Sequence, residues 1–511
     1  MSDSTGNSRI ARNTIFLYIR MAFVMLVTLY TSRVILRELG VTDFGIYNVV
    51  AGFVSMFSFL NTSLTASIQR FYNYENGQRG SDGFHQVFTT SFYIQLFLAV
   101  IILILLETFG LYYLNNELVI PENRLPAARY VFHMSSLSLF FVIMQVPYSA
   151  AVIAKEYMDY YAVVGVIDVL LKLLIVILLP FISADNLIVY SFALLLISII
   201  DFILYFTYSK KKIGEVKLDS TFNTSIFKEM LSFSGWSILG SSAQVVRNQG
   251  LNIIINLFFG PTINAARGIS YQVKTALASF MANIPTAARP QLTESYSRGD
   301  IERSKQIMFT ISKICFFLIY IIALPVFFDL DYLLHLWLGE TIPEYTLIFS
   351  KIIILITIVE TFNWPISMMI YATGKIARYN ILTSIIGVFV LPISYIILKF
   401  VPNPVIVYCV SLLISITVQM VSIKCLKTSA EIPQKEYYSK VIMPSFMVIL
   451  STFYVPYIIT TCLEPSFFRT ILNVVVCVIY ASSFIYFLGL NRQEKLMVVS
   501  ILKKVLTRFK K

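Results

Sequence analysis

Apolar runs of about twenty residues recur along the whole chain, separated by short segments rich in Arg, Lys, Asn, Gly and Pro. About 20 residues of helix cross the hydrocarbon core of a bilayer. Lipid offers no partner for backbone polar groups, so a spanning segment without a closed sheet must be helical. The runs fall near 12–32, 44–66, 88–110, 131–153, 160–182, 186–208, 232–258, 268–288, 306–328, 346–372, 379–400, 404–426, 440–461 and 468–488. The pattern predicts an all-α polytopic membrane protein with about fourteen transmembrane helices. The run 268–288 is the least apolar of them.

The polar segments between runs repeat. Arg70, Glu75, Arg79 and Gly80 recur as Arg289, Glu294, Arg298 and Gly299, about 219 residues later. Leu39-Gly40-Val41-Thr42 pairs with Phe259-Gly260-Pro261-Thr262, and Phe88-Thr89-Thr90-Ser91 with Phe309-Thr310-Ile311-Ser312. Pro147-Tyr148-Ser149 pairs with Pro365-Ile366-Ser367, and Tyr161 with Tyr379. Six runs separate equivalent positions, so the two copies enter the membrane from the same side. They are parallel repeats about an axis along the membrane normal, a transporter architecture. The division is a first lobe 1–208, a cytoplasmic amphipathic linker 209–231, a second lobe 232–427, two extra helices in 428–490, and a basic amphipathic tail 491–511. In the linker, Ile226, Phe227, Met230 and Leu231 form an apolar patch expected on the membrane surface. The tail reads as an interfacial helix against anionic lipid.

Charge fixes the orientation. With the N-terminus in the cytoplasm, loops and tails on that side hold 27 of the 40 Lys and Arg residues, against 7 outside and 6 within helices. That asymmetry is the positive-inside pattern, with both termini cytoplasmic. It accounts for most of the net charge of +12 and leaves no extramembrane domain to bind nucleic acid. Composition agrees, at 57% hydrophobic and 13% charged, against about a quarter charged in a soluble domain. The first run is too long for a cleaved signal and reads as a helix. The five cysteines lie in or beside apolar runs without a CxxC pair, and the three histidines are scattered, so no metal site is expected.

Some helices carry polar stripes. On the seventh, Ser234, Ser237, Ser241, Gln244, Asn248 and Asn252 recur at spacings of three and four, beside Arg247. The eighth offers Gln272, Thr275, Ser279, Asn283 and Thr286 next to Lys274. The second has Asn48, Ser55, Thr62, Thr65 and Gln69, and the first Asn13, Arg20, Thr28 and Thr31. Such spacing puts each set on one helix face. Two readings stand: hydrogen bonds between helices, or the walls of a hydrated cleft. In the cleft reading Arg20, Arg247 and Lys274 are cations with no acid on their own four helices. They would attract an anion such as pyrophosphate, which Arg can hold bidentately. The alternatives are snorkelling or a carboxylate from another helix.

Asp168 and Lys172, one turn apart, should pair. Asp201 and Glu360 read as lone acids and as candidates for ion coupling, Glu360 just before the kink-forming Asn363-Trp364-Pro365. Lys313 and Lys351 should snorkel. Arg70, Glu75, Arg289 and Glu294 form either a cytoplasmic gate or ordinary solvated loop charge. No phosphate-binding GxxxxGK[ST] loop occurs, so ATP does not drive the protein directly, and no cofactor is implied.

Arg20, Leu39-Gly40, Gly45-Ile46-Tyr47-Asn48, Phe233-Ser234-Gly235-Trp236, Arg247-Asn248-Gln249-Gly250, Phe259-Gly260-Pro261 and Ala265-Ala266-Arg267-Gly268 carry a resemblance. Over roughly residues 10–430 the chain resembles polysaccharide or O-antigen flippases, in the superfamily of multidrug extrusion transporters and the lipid II flippase. The resemblance implies a non-enzymatic, multi-pass protein of the bacterial inner membrane. It would move an undecaprenyl-pyrophosphate-linked oligosaccharide from the cytoplasmic to the periplasmic leaflet by alternating access, beside a polysaccharide polymerase and export machinery. The implied central cavity would use Arg20, Arg247 and Lys274 for the pyrophosphate, and Asn48, Gln244, Asn248, Asn252 and Gln272 for sugar hydroxyls. The competing reading is a cation-coupled multidrug antiporter of the same superfamily, whose cavity carries acids. A polymerase or ligase would need a large external catalytic loop, which the spacing of the runs does not leave.

Overall fold

The structure, a computed structural model, describes residues 3–496 apart from 156, 219–223, 282–287, 289–291, 293, 294, 297 and 493. Side chains are described from residue 26 onward, outside those positions and 58–67, 69, 70, 73, 74, 76–79, 158, 225, 229 and 231–241. Arg20, Arg70, Arg289, Glu294 and the tail beyond 496 therefore lie outside the described side chains. Among the described residues every regular element is a helix.

Ten helices there are long and apolar enough to cross a membrane: Gly80–Asn116, Glu122–Ala154, Asp159–Phe181, Asn186–Lys212, Ile301–Leu338, Thr346–Thr373, Ala377–Phe400, Val405–Ser429, Gln434–Cys462 and Phe467–Gly489. Each coincides with a sequence-predicted run. Of the other four runs, 12–32 lies in the helix Asp3–Ser55, 44–66 crosses from it into Phe59–Leu105, 232–258 lies in Thr224–Phe259, and the described part of 268–288 up to residue 281 lies in Pro261–Met281. Apolar side chains of Asp159–Phe181 point outward, with Leu170, Leu174, Ile177 and Phe181 exposed at helical spacing. Only 17% of that helix's most apolar window is buried, the signature of a face solvated by lipid.

The duplication is written in the turns. Gly40 has φ 75° and its counterpart Gly260 φ 74°; Gly80 has φ 61° and its counterpart Gly299 φ 79°. A Cβ in this region meets the following carbonyl, so glycine is retained where one helix must reverse into the next. Pro261 follows at the first helical position, where its missing N–H costs nothing. The segment 70–81, expected as a loop, is helix up to the break at Gly80.

Contacts divide the chain into two units. The first holds residues 1–268, 337–344 and 394–404 and the second the remainder. In the first, Tyr72 is fully buried, stacked on Phe84 at 4.2 Å and donating to the Pro147 carbonyl at 3.1 Å. Its hydroxyl also lies 3.5 Å from Ser91 Oγ. Ile226 and Met230 are 4% and 3% exposed in this core. The linker patch is thus packed against protein and not laid on the membrane surface, because the aromatic cluster offers it a dry apolar seat. At the helix ends, Arg124 ties Asp43 to Asp185, binding Asp185 at 2.6 Å. Asp185 also caps the helix Asn186–Lys212, accepting from the Leu187 N–H at 3.0 Å. The Arg124 hydrogen bond holds the Asp185 carboxyl below the usual carboxylate range, against the opposing effect of its partial burial.

In the second unit, Tyr437 donates to Ser312 Oγ at 3.2 Å and to the Phe362 carbonyl at 3.5 Å. Ser312 is the repeat partner of Ser91, so a tyrosine from outside the duplication meets the same serine position. Two buried ion pairs fasten the last helices to Ile301–Leu338. Lys313 meets Glu494, side chains 4% and 8% exposed, and Asp329 meets Arg469 at 2.7 Å, 1% and 7% exposed. Lys313 therefore does not snorkel, and Arg469 is a buried residue of the helix Phe467–Phe484. In each case the opposite charge arrives from a helix that local sequence could not place.

Candidate functional site

In the first unit the polar stripes meet each other. Asn252 Nδ2 donates to the Asn48 carbonyl at 2.8 Å, and Asn264 Nδ2 to Asn252 Oδ1 at 2.7 Å. Gln249 donates to Ser55 Oγ at 2.9 Å. The close approach depends on glycine, because a Cβ on Gly52 would lie 2.7 Å from Asn252 Nδ2 and one on Gly268 2.8 Å from Asn48 Oδ1. Small residues at such crossings let polar side chains bridge membrane helices. Asn252 is 7% exposed, and its amide serves helix–helix contact. Asn48 is half-buried, Gln244 is exposed, and Arg247 and Asn248 are half-buried.

Arg267 precedes the apolar run 268–288 by one residue. It stands in the helix Pro261–Met281 at 5% exposure and donates to the Asn248 carbonyl at 2.6 Å. Gln249, Asn264 and Arg267 are polar residues of this network that periodicity missed. For Asn264 the signal is its four-residue spacing from Gly268, which puts the two on one face.

In the second unit, Lys274 Nζ lies 2.7 Å from Glu360 Oε2, with side chains 17% and 27% exposed. The ammonium also stands 5.9 Å from the Tyr271 ring centroid. Lys274 is thus not an unneutralised cation and Glu360 is not a lone acid: the carboxylate comes from a helix outside the four with stripes. Glu360 closes the helix Thr346–Glu360 and a new helix opens at Asn363, so the acid sits at the expected kink. The Tyr379 hydroxyl braces that kink by donating to Asn363 Oδ1 at 3.0 Å. Gln272 Oε1 is buried with no hydrogen-bond partner among the described residues, an acceptor left open for a donor.

A second charged group occupies the first unit. Lys172 holds Asp168 at 2.8 Å, as the sequence suggests, and Asp201 stands beside both. Asp201 is therefore not alone, because the Asp168–Lys172 pair acts on it. Of the four gate candidates only Glu75 has a described side chain, and it is buried at 5% exposure. Among the described residues no group of His, Cys, Asp and Glu could hold a metal ion.

Known proteins fit this frame. Residues 10–296 match the family described as polysaccharide biosynthesis protein. The chain belongs to this family. The matched region contains Arg20, Asn48, Arg247 and Lys274, while Glu360 lies beyond it. The chain is 22% identical over 286 residues to the uncharacterized membrane protein EpsK of Bacillus subtilis (strain 168), a match covering 55% of this chain and 56% of that protein. Of solved structures, the lipid II flippase MurJ in its inward closed conformation superposes with a TM-score of 0.68 at 15% identity, covering 92% of this chain and 99% of the other. An inward-facing multidrug resistance MATE transporter of the MOP superfamily gives 0.66 at 13% identity, over 81% and 98%. A MOP superfamily transporter from Pyrococcus furiosus, titled for the reverse polarity of its binding pocket, gives 0.58 at 14%, over 81% and 95%. The polysaccharide biosynthesis family member thus has the fold shared by MATE transporters and MurJ, and it is a multi-pass membrane protein.

Proposed function

We propose that this protein is a flippase for an undecaprenyl-pyrophosphate-linked oligosaccharide, carrying it from the cytoplasmic to the periplasmic leaflet of a bacterial inner membrane by alternating access. The carrying observation is the family match over 10–296, which spans the cationic, polar helices expected to meet such a substrate. In this reading the protein is a transporter and not an enzyme. Both termini face the cytoplasm, and a polymerase and export machinery consume what it delivers.

The Lys274–Glu360 pair suggests how the substrate engages. A salt bridge in a low-dielectric setting neutralises a cation that would cost about 2.5–3.5 kcal/mol alone at the bilayer centre. A pyrophosphate could take the place of Glu360 against Lys274. A proton or cation on Glu360 would release the ammonium for it, coupling substrate capture to an ion. Arg20 and Arg247 would add charge, and Asn48, Gln244, Asn248 and Gln272 would serve sugar hydroxyls.

A second reading is favoured by the carboxylate pair Asp168 and Asp201, and by the fold shared with MATE transporters: a cation-coupled antiporter for small molecules. Translocation of lipid-linked glycan in cells or proteoliposomes separates the two. Wild type is compared with Arg20→Ala, Arg247→Ala and Lys274→Ala at matched membrane levels. Glycan-lipid movement that stops in the neutral variants supports the flippase. Full activity in all three removes those cations from the site. Export of cationic dyes without glycan movement establishes the antiporter.

A further inference from the structure

Where the helix Ile301–Leu338 begins, it encloses a cavity of about 630 Å³ with the starts of Gln434–Cys462 and of the tail after Gly489. This is pocket-sized for a small amphiphile and lies within the second unit. Its walls include Ile307 and Ile314, the latter 39% exposed, and Arg303 and Lys440 also line it. Buried Lys313 and Glu494 line it too, their charges spent on each other.

The charge count around the cavity is uneven. Lys305 lies between Glu302 at 2.6 Å and Glu436 at 3.0 Å, and Lys440 shares Glu436 at 3.2 Å. Those four groups balance. Arg303 is exposed and has no ion-pair partner among the described residues, so the cavity keeps one excess positive charge. Depth matters as well. A 38-residue helix is about 57 Å long, more than the ~40–45 Å of a bilayer with its headgroups. The apolar run of that helix starts near 306, so Arg303 stands just before it, where headgroups are expected, and Lys313 lies about 15 Å further along the axis. A cation at headgroup depth above an apolar wall matches an anionic phospholipid: phosphate above, acyl chain below.

We propose that this cavity binds an anionic phospholipid of the adjoining leaflet, its phosphate between Arg303 and Lys440 and its chains against Ile307 and Ile314. Its lining shares no residue with the proposed transport site, and nothing in the proposed flippase activity requires it. The test is lipid retention by the full-length protein, read by native mass spectrometry after exchange into phosphatidylglycerol or phosphatidylcholine. Wild type should retain phosphatidylglycerol in preference. The double variant Arg303→Gln/Lys440→Gln should lose that retention at least about 5-fold, the contribution of the one uncompensated cation, Arg303. Lys399→Gln, at the far end of another helix, should retain it, and an unchanged melting temperature of the double variant separates lost binding from lost folding. Equal retention of both lipids overturns the proposal, as does full retention by the double variant. Phosphatidylglycerol binding that appears only after deletion of 497–511 also overturns it, by giving the cavity to the chain's own tail.

Discussion

Replacing Arg469 by Met should be among the most damaging single changes in the second unit. Asp329 is 1% exposed and its carboxylate is held by Arg469 at 2.7 Å, with Asn473 donating to the other oxygen. Removing the guanidinium leaves a buried carboxylate with one neutral donor. Breaking a buried pair from one side costs about 3–5 kcal/mol, whereas replacing both partners by neutral groups of similar volume is often close to neutral. The Arg469→Met and Asp329→Asn single variants should therefore each lose about 3 kcal/mol or more, and the double variant much less than their sum. The assay is a double-mutant cycle on reversible unfolding of the purified protein in mixed micelles. A coupling energy of at least 2 kcal/mol is expected, on the order of the charge-network couplings seen between contacting residues. Additive losses, or single variants within about 0.5 kcal/mol of wild type, as for a surface change, would refute the reasoning.

Other expectations follow from the same geometry. Lys274→Glu and Glu360→Lys should each abolish glycan-lipid translocation, while the exchanged pair restores a measurable part of it if the two act together. Arg124→Ala should change the acid stability of the first unit. The Asp185 carboxyl is held below its ordinary value, so its contribution is present above about pH 4 and lost as pH falls below that. Melting at pH 7 and pH 3.5 should differ less in the variant than in wild type. Gly260→Ala, at φ 74°, should cost about 1–2 kcal/mol, read by thermal unfolding. Gly45→Ala should abolish stable expression, because its Cβ would overlap the Pro261 carbonyl backbone.

Most of the fold was legible because membrane helices announce themselves by length and apolarity alone. The repeat was legible because turn glycines cannot drift without strain: Gly40 and Gly260, like Gly80 and Gly299, hold the same positive φ. What the sequence concealed are pairings between helices far apart in the chain. Lys274 read as bare because its partner Glu360 is 86 residues on, and no local pattern encodes such a meeting. Lys313 looked like a snorkelling lysine because its partner Glu494 is 181 residues away. Periodicity found the stripe bearing Asn252, but only packing against Gly52 and Asn48 shows where its amide goes.

The tyrosine that reaches Ser312 from outside the duplication bears on how the chain is made. In the first unit the matching hydroxyl belongs to Tyr72, nineteen residues before Ser91, so that core can close soon after synthesis. In the second, Ser312 waits for Tyr437, Asp329 for Arg469 and Lys313 for Glu494. Until the helix Phe467–Gly489 and Glu494 behind it leave the insertion machinery, an aspartate and a lysine remain uncompensated. Chains cut before this segment should therefore be recognised and degraded, and its arrival acts as a check on the folding of the second unit.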